Sequence, residues 1–329
     1  MGWLLGVLMV FAGGAMQGSW TLPMKFTRAW AWEKIWLFYS VMAMIVLPWL
    51  LVLLLVPEAS AVYAGAGSGV VARTALFGAG WGFGSVLFGL GVVRVGMALG
   101  FAVIISLTAA VGSVVPMAIQ QPENLASSQG LTLMAGLATV IVGIVLCAKA
   151  GALKEAATRG QGFGRGLAIC VVSGITSPMM NFAFSFGQSI QDQAVQRGAG
   201  RAVASIAVLA VAVAAGFVLN AGYCLYLLCR NRSWKSDAPV FRYTLLAAAM
   251  AGLWLFGMFF YGMGASELGA SGTSVGWALF MTIIVLVANF WGLVTGEWKG
   301  APRQSFGYLS TGLAVLIAAL VIISAGARG

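Results

Sequence analysis

Apolar residues along this chain come in long blocks that do not alternate with polar ones, and short polar gaps divide the blocks. A helix of about 20 apolar residues crosses a bilayer core. Blocks of that length predict about ten spans, near residues 2–22, 32–56, 74–93, 96–119, 129–149, 164–187, 202–229, 242–264, 273–295 and 305–325. The run from Ile35 to Val56 carries no charge at all. Backbone groups in lipid must be satisfied internally, which leaves helices or a closed barrel. Barrel strands would alternate apolar and polar residues, and these blocks do not. The pattern predicts an all-α integral membrane protein.

Charge then gives the predicted helices a direction. Lys25, Arg28 and Lys34 follow the first span, and Arg94 follows the third. Lys149, Lys154, Arg159 and Arg165 surround the gap after the fifth, Arg230, Arg232, Lys235 and Arg242 the gap after the seventh, and Lys299 and Arg303 follow the ninth. The remaining basic residues are Arg73, Arg197, Arg201 and Arg328. Cytoplasmic loops carry the excess of Lys and Arg, so the odd-numbered loops are expected inside and both termini in the periplasm. The net charge of +10 is explained by this orientation and does not call for a nucleic-acid partner.

The basic loop over 151–163 divides the chain into two five-span halves, 1–150 and 164–329. An odd number of spans per half turns the second half upside down. Inverted repeats of that kind mark transporters, with the substrate near the midplane. GLATVIVGIVLCAKAG (136–151) resembles GLAVLIAALVIISAGA (312–327), the last span of each half.

Composition excludes other classes. The chain of 329 residues is 61% hydrophobic and 8% charged, where a soluble domain carries about 25% charge. His is absent, and Cys147, Cys170, Cys224 and Cys229 have neither metal-ligand nor redox spacing. They are expected as helix-packing thiols. No nucleophile elbow or phosphate loop is present, so neither an enzyme nor a cofactor is expected. The segment Gly2–Thr21 lacks the charged start of a secretory signal and is expected as a retained span. Glycine concentrates in GAGWGFG (78–84) and GMALG (96–100), where helices can approach closely.

Few acidic residues remain, and Glu33 and Glu267 fall nearest to membrane depth. An ionisable group there is a functional hypothesis by default, and burial suits a carboxyl to carrying a proton. Lys25 and Lys34 lie near Glu33 in sequence. An interfacial Glu favoured by the helix dipole accounts for the same residue, and both readings stay open here. Uncharged polar residues form a second set: Gln17, Ser19, Ser85, Asn181, Ser185, Gln188, Tyr261 and Asn289. Asn and Gln amides need several partners, so Gln17, Asn181 and Asn289 are the stronger candidates for binding hydroxyls. Trp20, Trp81, Trp254 and Trp291 stand beside them, with faces suited to the apolar side of a sugar. Trp3, Trp30, Trp32, Trp234 and Trp298 are expected in the interfacial belts.

SWTLPMKFTRAWAWEKIW (19–36) resembles the opening of the L-rhamnose–proton symporter family, within the drug/metabolite transporter superfamily. GAGWGFGSVLFGLGVVRVGMALGFAVI (78–104), ALKEA near Lys154 and NFWGLVTGEWKGA (289–301) resemble the same family in the same order. The resemblance implies a ten-helix inverted-repeat carrier of the bacterial inner membrane that imports a 6-deoxy sugar with protons. It implies Glu33 as the proton-coupling carboxylate and Lys25 as its partner. Segments 188–200 and 262–273 carry no match, which leaves L-rhamnose and L-fucose both open. An exporter of amino acids or other metabolites from the same superfamily, or a non-transporting membrane scaffold, remain the alternatives.

Overall fold

A computed structural model describes residues 2–27, 30–95, 97–154, 163–234, 240–269, 272–296 and 298–326. Arg28, Arg159, Lys235, Arg328 and most of the central basic loop lie outside the described residues. Ten helical segments are long and apolar enough to cross a membrane. Span 1 is Gly2–Ser19, continued by a 3-10 turn over Leu22–Phe26, and span 2 is Trp32–Leu55. Spans 3 to 5 are Ser68–Val95, Met97–Gln120 and Ser128–Lys154. Span 6 is three helices, Phe163–Thr176, Met179–Phe186 and Gln188–Gln196. Spans 7 to 10 are Ser205–Asn231, Val240–Glu267, Gly272–Val294 and Arg303–Gly326. The protein is an all-helical, multi-pass membrane protein. Leu53, Leu54, Leu76, Val218 and Val321 stand exposed on its flanks, as lipid-facing side chains must.

Three prolines explain three departures from regular helix. Pro48 has no N–H for the carbonyl of Met44, and the helix relaxes there into a π-turn over Met42–Val46, with Leu47 N donating to Met42 O. Pro178 ends the first helix of span 6 and orphans the carbonyl of Gly174. Thr108 Oγ1 of span 4 takes over, donating to Gly174 O at 3.4 Å. Pro116 lies inside span 4 and frees the carbonyl of Gly112. Asn181 Nδ2 donates to it at 2.8 Å. The sequence pattern also missed a short helix, Ala59–Ala66, which turns into span 3 through Gly67 at φ +86°. Glycine fits that conformation without strain.

Loop contacts show which ends lie together. Lys25 Nζ donates to Thr295 Oγ1 at 2.6 Å, and Lys34 Nζ to Trp234 O at 3.0 Å. Lys154 Nζ sits 5.2 Å over the Trp298 ring. The loops after spans 1, 5, 7 and 9 therefore share one end, the basic end. At the far end Arg197 Nε approaches Glu58 Oε2 at 3.9 Å, which brings the loops after spans 2 and 6 together.

The spans pair in a regular way. Span 1 packs on span 8, and span 3 on span 6. Span 2 meets span 7, span 4 meets span 9, and span 5 meets span 10. Adding five to a span in the first half, or subtracting five in the second, maps each of these pairs onto another or onto itself. Glycine makes the closest crossings. A Cβ on Gly82 would stand 2.6 Å from the Gly216 backbone of span 7, and one on Gly13 2.6 Å from the Gly257 carbonyl of span 8. Gly89 has open space.

Overpacking a core costs about 1–3 kcal/mol. Gly82→Val is expected to lower stability in detergent by that amount or more, read by thermal unfolding. Gly89→Ala should leave the melting temperature unchanged.

Candidate functional site

Span 1 ends at Ser19, just before Trp20, and its last turn carries Gln17. After the 3-10 turn, span 2 begins at Trp32, and Trp32, Trp36 and Tyr39 rise along it beside Trp20. Their rings form one continuous cluster. Trp20 stacks on Tyr39 at 5.0 Å and meets Trp36 edge-on at 5.4 Å. Trp36 lies 4.9 Å from Trp32 and 5.3 Å from Tyr39. Tyr39 touches Trp254 of span 8 at 6.4 Å, and Trp254 touches Trp81 of span 3 at 5.2 Å.

Polar groups thread through the rings. With its amide turned to satisfy both groups, Gln17 pairs with Trp254 twice, its oxygen accepting from Nε1 at 2.9 Å and its nitrogen donating to the carbonyl at 3.1 Å. Asn220 of span 7 is 1% exposed. Its Oδ1 accepts from Ser85 Oγ at 2.9 Å and from Trp36 Nε1 at 3.2 Å, while its Nδ2 donates to Gly216 O at 3.1 Å. Gln17, Trp20, Trp36, Tyr39, Trp81, Ser85, Asn220 and Trp254 are all uncharged. They come from spans 1, 2, 3, 7 and 8.

Glu33 sits at the basic end of span 2, one turn from Trp36, and is 7% exposed. It is the one buried carboxylate among the described residues. Its Oε1 accepts from Asn231 Nδ2 at 3.0 Å and from Ser233 Oγ. Two donors on one oxygen match an ionised carboxylate, which only accepts. Ser233 is in place because Arg232 takes a left-handed conformation that closes span 7.

The other candidates fall elsewhere. Asn181 is fully buried toward the far end, and all its groups are used. It donates to Gly112 O and to Thr273 O at 2.7 Å, and it accepts from Tyr261 Oη. Asn181 and Tyr261 thus brace each other and the interrupted spans 4 and 6, away from the ring cluster. Gln188 is exposed at the start of the last helix of span 6. Asn289 Nδ2 donates to Val285 O of its own helix at 2.8 Å. Trp291 Nε1 donates to Ser19 Oγ at 2.7 Å and so supports the turn that carries Trp20. Lys25 reaches Thr295, whereas Glu33 is held by span 7. Glu267 ends span 8 beside Gly2. Trp30, expected in a belt facing lipid, is instead buried between Phe38 and Tyr243, at 5.2 and 5.4 Å. Of the four thiols, Cys229 is exposed.

The sequence reading passed over Trp36, Tyr39, Asn220, Asn231 and Ser233. The criterion that selects Asn181 and Asn289, an amide inside an apolar span, selects Asn220 equally well.

The profile of the family described as L-rhamnose-proton symport protein (RhaT) matches residues 2–328. This chain belongs to the L-rhamnose–proton symporter family. The family is one of transporters, not enzymes. A protein of Mannheimia succiniciproducens named L-rhamnose-proton symporter is 30% identical, over 98% of this chain and 98% of its own. A Klebsiella pneumoniae protein of the same name is 30% identical, over 98% of this chain and 97% of its own. A solved crystal structure aligns over 98% of this chain and 99% of its own, with a TM-score of 0.59 at 14% identity. That likeness concerns the fold alone.

Removing Asn181 leaves the Gly112 carbonyl and the Tyr261 hydroxyl buried without their partner, at a cost of about 1–3 kcal/mol for each unsatisfied group. Asn181→Ala is expected to lower stability by that order. Tyr261→Phe should cost less, since Asn181 keeps its two donors engaged. Thermal unfolding of the purified variants measures both.

Proposed function

We propose that this protein is a proton-coupled symporter that imports a 6-deoxy sugar, L-rhamnose or its relative L-fucose, across the bacterial inner membrane. The two five-span halves, 1–150 and 164–329, are inverted repeats that alternate access to a shared site. The exchange pattern of span pairs supports that reading, and the basic end is then cytoplasmic. Gln17, Trp20, Trp81 and Ser85 hold the sugar, with ring faces against its methyl and apolar side and amide and hydroxyl groups on its hydroxyls. The observation that carries the proposal is an uncharged ring-and-amide cluster, fed by both halves, one helical turn from Glu33, the one buried carboxylate among the described residues. The relatives' names point to L-rhamnose.

Glu33 carries the proton. Its two donors favour the ionised form, the form that follows release of the proton to the cytoplasm. Lys25 serves from a distance, by fixing the loop before Glu33 to span 9. Asn181 and Tyr261 hold the far end closed, Gln188 lies on the approach from outside, and Asn289 and Trp291 support the cytoplasmic mouth. Exporters of anionic metabolites would need a cation among the rings. Lys25 contacts Thr295, and Arg94 is exposed with its guanidinium on Leu90 O at 3.4 Å.

Each pH unit is worth about 1.4 kcal/mol per proton. Proteoliposomes with the outside one unit more acidic should therefore accumulate labelled L-rhamnose by about tenfold if one proton accompanies each sugar. Glu33→Gln should lower this to simple equilibration while keeping sugar exchange. Full accumulation by Glu33→Gln would remove Glu33 from the mechanism, and absence of sugar flux in the parent protein would remove the cargo.

A further inference from the structure

Two hydrogen-bonded rungs join span 2 to span 7. At the basic end Asn231 and Ser233 hold Glu33. Deeper in, Asn220 holds Trp36. Glu33 and Trp36 are three residues apart, so they share a face of span 2. Asn220 and Asn231 are about three turns apart and share a face of span 7. The carboxylate and the ring cluster therefore belong to one interface.

We infer that Asn220 is a positioning residue that couples occupancy of the ring cluster to the state of Glu33. The inference rests on the reading of those two sites given under Proposed function. A carboxamide oxygen has two acceptor sites, and Asn220 uses both, on Trp36 and Ser85. The indole of Trp36 has a single N–H and spends it there. Its ring also touches Trp20, Trp32 and Tyr39, so a sugar lodged among those faces must displace it. Asn220 is almost completely shielded, and water does not replace the lost donor. The displaced indole pulls on its own backbone, and Glu33 lies one turn away on the same helix. Sugar binding thus shifts Glu33 against Asn231 and Ser233. Coupling is reciprocal: a proton on Glu33 weakens the outer rung and frees span 2 to follow the sugar.

Other charged or titratable groups stand at this end on the packed elements. They are Tyr223, Cys224, Tyr226, Cys229, Arg230 and Arg232 on span 7, Arg242 and Tyr243 on span 8, Lys25 on the 3-10 turn, and Lys34 on span 2 itself. The test variants leave all of them in place.

The test compares Asn220→Ala and Trp36→Phe with the parent protein and Glu33→Gln in proteoliposomes. Trp36→Phe keeps an aromatic face and deletes the N–H. One readout is L-rhamnose exchange at equal pH, and the other is accumulation driven by a pH gradient. Both variants are expected to lose more of the pH-driven accumulation than of exchange, with accumulation falling from about tenfold to near equilibration. A folded Trp36→Phe that accumulates like the parent overturns the inference. So does an equal loss of exchange and accumulation, which is what a purely structural or purely binding role produces. If Glu33→Gln fails to accumulate while both other variants succeed, only the Asn220 inference falls. If all three succeed, the assignment of Glu33 falls as well. Should Asn220→Ala not fold, Trp36→Phe decides the question alone.

Discussion

Pro116 removes a backbone donor from the interior of a helix, and Asn181 supplies the replacement from another span. In hydrocarbon a carbonyl without a donor costs several kcal/mol. The same rule governs Gly174 O, freed by Pro178 and met by Thr108. These bonds do more than repair their own helices. Each repair ties span 4 to span 6, so a local defect in the chain becomes a tertiary contact. Tyr261 and Trp277 close around the same point, with Trp277 Nε1 on Thr108 O at 2.9 Å. The far end is rigid because its broken helices can be completed only by one another.

The basic end is built by a different rule. Its contacts are hydrogen bonds between side chains and cations resting on rings: Glu33 with Asn231 and Ser233, Lys34 over Trp30 at 4.5 Å, Lys149 over Tyr308 at 4.2 Å. The cation contacts near a membrane surface exchange readily with water, unlike a buried amide on a backbone carbonyl. Between the two ends lies the ring cluster, whose polar atoms are satisfied by each other. Gln17 and Trp254 pair, and Asn220 gathers Ser85 and Trp36. Those atoms carry no charge, so the cluster offers hydroxyl-bonding groups without a charge to neutralise. Glycine crossings on either side, span 1 on span 8 and span 3 on span 7, bring the backbones close enough for the cluster to be shared.

Much of this was legible in the residue order, because lipid imposes its demands along the chain. Ten spans, their helical nature and the gathering of odd-numbered basic loops at one end follow from block length and from Lys and Arg positions. Gln17, Trp20, Trp81 and Ser85 were recognisable as polar and aromatic residues inside spans, and they do come together. Glu33 was recognisable because a carboxylate at that depth is costly. What the residue order left undetermined is whether a polar group in a span faces cargo or another helix. Asn181 and Gln17 look alike in one dimension. Only the crossing of spans 4, 6 and 9 puts carbonyls against both Asn181 donors, and only the crossing of spans 1 and 8 sets Gln17 against an indole. Asn220 becomes a hub for the same reason: residues 36, 85 and 220 are distant along the chain, and the packing of three helices makes them neighbours. Periodicity and charge act through the solvent, which every residue meets, whereas partnership depends on which faces meet, and that is decided when the helices pack.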